Sequence, residues 1–395
     1  MKKHRIALML FVLCILQANG QDVTEPIAQL SESSFASVLT CGPGEEFYES
    51  FGHSAIRICD TVNNIDRVYN YGSFDFGEPH FYMHFIQGRL NYFIEPQDFK
   101  DFIFEYFYFG RAVWEQRLTL NHDELQGLYN DLEWNLKPEN KYYKYDIFWD
   151  NCATRVRDII EKNSDDYANF YKSDEKWNPR SGIPRTTYRD LIYKYTGNSM
   201  LWWRMGTDLL LGARCDRPMS RRQFLYMPIE LMNQLDTIQL SDNNSLAETR
   251  IELIPQVTSN PTTLFSPALC FLLLFVVVIV LTLLSHKKGW TLRWLDALLF
   301  SVAGVVSIIL LFLWFGSDHA CTKWNFNILW ANPFFIWMLC RLRKPCRVPA
   351  TIVAVCICLA LLIWIVGWPQ QMNTAAILMA LTLLVRVYNK LKRQI

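Results

Sequence analysis

The chain has 395 residues, a formal net charge of +1 and 51% hydrophobic residues. That charge excludes the basic footprint on which nucleic-acid binding depends. The apolar residues concentrate after about residue 260, so composition alone divides the chain into a charged, aromatic part and an aliphatic one.

Residues 1–20 read as a secretory signal. Lys2, Lys3, His4 and Arg5 form a basic start, Ile6 to Leu16 an apolar stretch too short to span a membrane, and Ala18 and Gly20 the small residues before Gln21. Cys14 lacks the small residue that lipid attachment requires before it, so no lipid anchor is expected. An uncleaved helix is the alternative, and it exports the next segment equally well.

Residues 21–255 are expected to form an exported domain. Phe35–Thr40 reads as a buried strand ended by the turn Cys41-Gly42-Pro43-Gly44, and a short acidic, aromatic helix is expected over Glu45–Phe51. Ser54–Cys59 alternates as a half-buried strand does. Asp60–Asp66 carries turn formers and Arg67–Phe76 is extended again, which makes the pair a hairpin. Asp98–Phe107 and His122–Asn135 read as helices, the second capped by Asn121. Phe81–Phe109 and Leu201-Trp202-Trp203-Arg204 are rich in rings, which gather where protein meets headgroups, although ordinary core packing uses them too. A polar linker is expected over 256–265, with Ser259, Asn260 and Pro261 in it.

The membrane domain is expected over 266–395. Its apolar runs are about Pro267–Leu284, Leu295–Phe315, Asn327–Leu339, Pro349–Trp368 and Thr374–Val385; the third and fifth are short, and Pro333 interrupts the third. Loop charge supports five crossings. Lys287, Lys288 and Arg293 follow the first run, Arg341, Arg343, Lys344 and Arg347 the third, and Arg386, Lys390, Lys392 and Arg393 the fifth, whereas Asp318–Thr322 and Pro369–Asn373 are nearly free of Lys and Arg. This pattern predicts an exported domain outside and a cytoplasmic C-terminus.

Of 11 cysteines, Cys41, Cys59, Cys152 and Cys215 lie in the exported domain and Cys321 in an outward loop. An oxidising compartment permits disulfides, but no spacing specifies one, and with no CxxC pair no metal or other cofactor is expected. His80 and His84 stand four apart without the Glu of a zincin helix, which leaves a metal role unsupported.

Asp150-Asn151-Cys152-Ala153-Thr154-Arg155 opens an amphipathic helix with Cys152, Val156 and Ile159 or Ile160 inward, and Arg155, Arg157, Asp158, Glu161 and Lys162 mostly outward. Asp150 or Asn151 can cap it. A thiol in a first helical turn meets unpaired amides that favour thiolate and can hold a developing oxyanion. A small buried cysteine near a helix start is the plain alternative. Gly52-His53-Ser54-Ala55-Ile56-Arg57 sets a histidine at the head of a core strand, where it can take a proton from a thiol. Asn70 on the partner strand can orient that imidazole, with Ser73 and Asp75 as rivals.

A histidine at a strand start, a polar residue on the next strand and Asn-Cys at a helix start resemble the circularly permuted papain-like arrangement of lecithin:retinol acyltransferase. The chain resembles more closely the bacterial membrane proteins with an Lnb-type periplasmic domain. The shared motifs are Leu39-Thr40-Cys41-Gly42-Pro43-Gly44, Phe51-Gly52-His53-Ser54-Ala55-Ile56-Arg57, Tyr69-Asn70-Tyr71-Gly72-Ser73-Phe74-Asp75-Phe76 and Asp150-Asn151-Cys152-Ala153-Thr154-Arg155, with His319, Asn325, Asn327, Asn332 and Pro333 in the membrane part. The resemblance implies an α+β papain-like domain fused to about five helices in the bacterial inner membrane, with the domain in the periplasm. It implies a thiol-dependent lipoprotein N-acyltransferase that moves an acyl chain from phospholipid to the amine of a diacylated lipoprotein's terminal cysteine.

Cys152, His53 and Asn70 are then the expected catalytic residues, and Asn151, Arg57, His319 and Asn325 the expected substrate-binding ones. Asp318, His319, Asn325 and Asn327 cluster at the outer membrane edge, either as plain loop residues or as groups that receive a headgroup or the acceptor peptide. Two other classes compete: a membrane-anchored cysteine peptidase or amidase acting on cell-wall peptides, and a non-catalytic envelope assembly factor.

Overall fold

The computed structural model describes residues 27–44, 49–164, 186–197, 200–235, 237–238, 245–257 and 265–392. The expected signal at 1–20, most of the helix expected over Glu45–Phe51, the linker residues Ser259, Asn260 and Pro261, and Arg393 lie outside the described residues.

Strands β1 (Phe35–Cys41), β2 (His53–Asp60), β3 (Ile65–Phe74), β4 (Asn91–Asp98), β5 (Val113–Arg117), β6 (Tyr142–Lys144) and β7 (Ile251–Ile254) form one sheet in the order β6-β4-β3-β2-β1-β5-β7. Every neighbouring pair is antiparallel. The alternation in β2 decides which face each residue serves. Ile56 and Ile58 join Val38, Tyr69 and Tyr71 on one face, beneath helices α3 (His122–Leu136), α4 (Cys152–Asn163) and α7 (Pro228–Leu235). Ala55 joins Leu39, Cys41 and Val68 on the other, beneath Phe102 and Tyr106 of helix α2 (Phe99–Tyr108). Helix α1 (Phe81–Gln87) lies between β3 and β4 in the chain.

Asn121 caps α3 as expected, and Glu124 returns the bond to the cap's own amide. Arg157 of α4 is a correction to the outward face read from sequence. It is buried, because its Nη1 donates to the Arg222 carbonyl (2.8 Å) and its Nε to Asp158 (2.7 Å).

Helices α5 (Tyr188–Thr196) and α6 (Leu201–Leu210) carry the exported domain to the membrane part. Buried Arg189 bridges Asp208 and Asp216 at 2.7 Å each, and Asn373 donates to Asp208 (2.7 Å). In the aromatic patch of α6, Trp202 donates its indole N–H to the Phe265 carbonyl (2.9 Å), while Trp203 packs on Phe51.

Among the described residues, four helices are long and apolar enough to cross a membrane: α8 (Pro267–Lys288), α9 (Arg293–Phe315), α11 (Arg347–Val366) and α12 (Thr374–Lys392). The third expected span is not a continuous helix. It is a 3-10 turn at Phe326–Leu329 followed, after Asn332 and Pro333, by the short helix α10 (Phe334–Cys340). Pro333 lacks an N–H for a preceding turn, so the helix restarts there. The broken segment still runs the length of the bundle. At its start Asn325 and Asn327 bond carbonyls of α6, and just past its end the Arg341 and Leu342 carbonyls accept from Lys390 near the end of α12.

Candidate active site

His53 opens β2 opposite Cys41 of β1. Gly52 before it has φ +79°, and a Cβ there would sit 2.4 Å from the Cys41 carbonyl oxygen, so this turn requires glycine. Asn70 pairs with Ala55, two residues past His53 on the same face, and its Oδ1 lies 3.2 Å from His53 Nε2. A carboxamide oxygen only accepts, so Nε2 carries the hydrogen and Nδ1 presents the lone pair. The Asn70 amide is fixed in turn by Gln97 (3.3 Å), and Gln97 by Glu105 of α2 (3.2 Å). Of the three polar candidates on and after β3, Asn70 is the one that meets the imidazole. Ser73 lies beyond a bulge in the β3–β4 pairing, and Asp75 accepts from the Gly77 amide (2.7 Å).

Cys152 is the first residue of α4. Asn151 caps it through a reciprocal pair: Asn151 Oδ1 accepts from the Thr154 amide (2.9 Å) and Thr154 Oγ1 from the Asn151 amide (2.7 Å). The Asn151 Nδ2 donates to the carbonyls of Ile147 (2.7 Å) and Tyr226 (2.9 Å), so the whole side chain is engaged in holding the helix start. Cys152 is only 7% exposed. Burial pushes its thiol above the usual range, while the backbone N–H groups of Ser54, Ala153 and Cys152 itself pull the other way. Ser54 follows His53 directly, so the thiol lies against the head of β2. Gly72, at φ +99°, carries β3 past it: a Cβ there would be 4.0 Å from Cys152 Cβ and 3.6 Å from the Tyr145 ring.

Burial also lowers the His53 pKa to about 4, against the Asn70 hydrogen bond, and the charge of Arg111 lowers it further. Each group is therefore neutral at rest, Cys152 as the thiol and His53 as the imidazole. A thiol and an imidazole in these states can exchange a proton once within reach of each other as a substrate carbonyl arrives, with amides placed to receive the developing charge.

Arg111 is absent from the sequence reading. It is buried, donates Nε and Nη2 to the Gly42 carbonyl (3.1 Å each) and Nη1 to Glu49 (2.7 Å), and stacks over Tyr106. Its charge acts on Cys41, His53 and Cys152 together. The one sequence signal available was its place just before β5, which pairs with β1 and brings Val113 opposite Cys41.

The remaining expected residues lie elsewhere. Arg57 is clamped between Asp66 (2.7 Å) and Glu115 (2.9 Å) with its guanidinium over Phe99. Asn325 is buried, donating to the Leu209 (2.8 Å) and Leu210 (3.0 Å) carbonyls and accepting from Asn327 and Gln370. His319 follows the outer end of α9 and bonds the Phe85 carbonyl through Nε2 (3.0 Å). His84 pairs with Glu78 (3.0 Å). Among the described residues no three His, Cys, Asp or Glu side chains are grouped to hold a metal.

Comparison with protein families gives two matches. Residues 24–194 match the model described as the Lnb N-terminal periplasmic domain, and residues 259–394 the one described as the Lnb transmembrane domain. No curated protein matches. No solved structure matches either, so the papain-like likeness rests on the motifs alone. The sheet domain is accordingly periplasmic and the helical bundle lies in the inner membrane.

Proposed function

The chain belongs to the Lnb family, and from that premise we propose that it is a lipoprotein N-acyltransferase working through a Cys152 thioester. One observation carries this reading: a buried thiol at a capped helix start, with three backbone amides bearing on it, the first from Ser54, the residue that follows a histidine held by Asn70.

In the first half-reaction His53 Nδ1 takes the Cys152 proton as sulfur attacks the ester carbonyl of a phospholipid. The amides around the sulfur stabilise the oxyanion. The C–O bond breaks, His53 returns the proton to the departing oxygen, and lysophospholipid leaves with the acyl group on sulfur. In the second half-reaction the α-amine of a diacylated lipoprotein's terminal cysteine attacks the thioester, His53 accepts the amine proton, and the C–S bond breaks to restore the thiol. Both substrates are lipids, which accounts for a thiol domain joined to membrane spans. With the broken segment counted as a fifth crossing, a periplasmic domain and the Lys and Arg residues that follow the first, third and fifth runs support a cytoplasmic C-terminus.

The test is mass spectrometry of full-length protein incubated with phospholipid alone. A persistent, hydroxylamine-sensitive acyl adduct is expected on Cys152, discharged by a diacylated lipopeptide with a free amine and not by an N-blocked one. Turnover to free fatty acid at the same rate with either peptide would make the protein a lipase. No adduct, together with cleavage of cell-wall peptides, would favour the peptidase reading.

A further inference from the structure

A cleft of about 170 Å³ opens where the exported domain meets the outer end of α9. Its walls include Arg89, Lys144, Tyr145, Asp146, Asp318 and His319. None of these belongs to the thiol site, yet the ring of Tyr145 packs against Gly72 beside Cys152. The cleft and the thiol thus share a wall.

The depth of the cleft follows from its attachments. The Asp318 amide donates to the Gln87 carbonyl (2.8 Å) and His319 Nε2 to the Phe85 carbonyl, tying α1 to the end of a membrane span. The outward residues of α1 are apolar: Tyr82, Met83, Phe85 and Ile86 are all exposed, as is Phe315 at the close of α9. An apolar surface that continues from a span onto an adjoining short helix lies in the bilayer interface, where headgroups are. The cleft opens at that level.

Its charges are paired rather than of one sign. Arg89 donates Nε to Asp318 (2.7 Å), which leaves the hydrogens of its two terminal nitrogens to give. Lys144 donates to the Arg89 carbonyl and to Asn91, with a third hydrogen to give. Asp146 accepts the Phe148 and Trp149 amides on Oδ1 and keeps Oδ2. Two cations can hold a phosphate bidentately, and two carboxylates beside them repel a second anion but welcome an ammonium.

We infer that this cleft receives the headgroup of the acyl-donor phospholipid, and that the preferred headgroup is zwitterionic, a phosphate beside a primary amine. The inference rests on the acyl-transfer reading for the word donor, though not for binding itself.

The test uses full-length Cys152→Ala, which binds without reacting, in detergent micelles. Native mass spectrometry compares retention of phosphatidylethanolamine, phosphatidylglycerol and diacylglycerol with the same chains. Loss of one charge-assisted contact corresponds to about tenfold in affinity. Lys144→Gln should lower retention of both phospholipids about tenfold and leave diacylglycerol unchanged. Asp146→Asn, which keeps the Oδ1 contacts, should lower phosphatidylethanolamine alone. Glycerophosphoethanolamine should displace the lipid where equal inorganic phosphate does not. Equal retention of diacylglycerol, unchanged lipid retention in both variants, or displacement by phosphate alone would overturn the inference. A wild type that never forms an adduct on Cys152 would sink the acyltransferase reading and leave this binding result standing.

Discussion

The sheet holds a buried thiol on each of its faces, and the two are placed in opposite ways. Cys41 sits at the end of β1 under α2, and burial drives its thiol up to about 12 despite a hydrogen bond from Tyr106 and the charge of Arg111. Cys152 sits on the α4 face, equally enclosed, but with the amides of Ser54, Ala153 and its own residue directed at sulfur. Burial is common to both, so burial is not what makes a nucleophile. The difference is amides aimed at the sulfur: one from Ser54 at the head of β2, and two from a helix start, where amides have no carbonyl to serve. Arg111 does not discriminate, since its charge acts on both.

The sharpest way to break that comparison is to remove each sulfur in turn. Cys152→Ala should lower acyl transfer by several orders of magnitude, and a further His53→Ala should add little, because members of one catalytic unit are not additive. Cys41→Ala should leave most of the activity, measured as transfer of labelled acyl chains to lipopeptide. Equal losses would mean that the two thiols are not distinguished by their amides.

A second cut separates the base from its holder. His53→Ala should cost about 10²–10⁴-fold, the range of a positioned general base. Asn70→Ala should cost about tenfold, as loss of one hydrogen bond that orients the ring. If Ser73→Ala or Asp75→Asn costs more than Asn70→Ala, the orienting residue is misassigned.

These residues also mark what the sequence could and could not convey. The hairpin, the Asn121 cap, a cap at Asp150 or Asn151 and the apolar inward face of α4 were legible, because alternation and capping depend on near neighbours. The choice among Asn70, Ser73 and Asp75 was not, since it turns on register and on a bulge after Tyr71. Arg111 was illegible for a related reason: its partners Gly42 and Glu49 are more than 60 residues away in the chain. The membrane cluster divides in two. His319 borders the cleft, but Asn325 is sealed between α6 and Gln370, because carbonyls at the end of α6 need donors that only the other domain supplies. Asn325→Ala should therefore act on stability first, at about 3 kcal/mol for the orphaned groups, seen as a lower Tm in detergent.

The smallest effect tests the neutral state of the pair. An unfolded imidazole gains its proton as pH falls through 6.5, while His53 in the folded protein resists until about 4. Stability that depends on a neutral His53 is thus complete above pH 6.5 and lost as pH falls toward 4, on the order of 2–3 kcal/mol. His53→Gln cannot titrate and should show a flatter Tm between those limits than wild type. The thiols should agree. With its pKa raised by burial, Cys152 should react slowly with iodoacetamide at neutral pH and faster as pH rises beyond the ordinary thiol range, with Cys41 slower throughout. If Cys152 instead alkylates rapidly at neutral pH, with a step near pH 4 that His53→Gln removes, the resting pair is thiolate and imidazolium. The amides would then already hold a full charge before substrate arrives, and His53 would act first as the acid that protonates the leaving lysophospholipid oxygen.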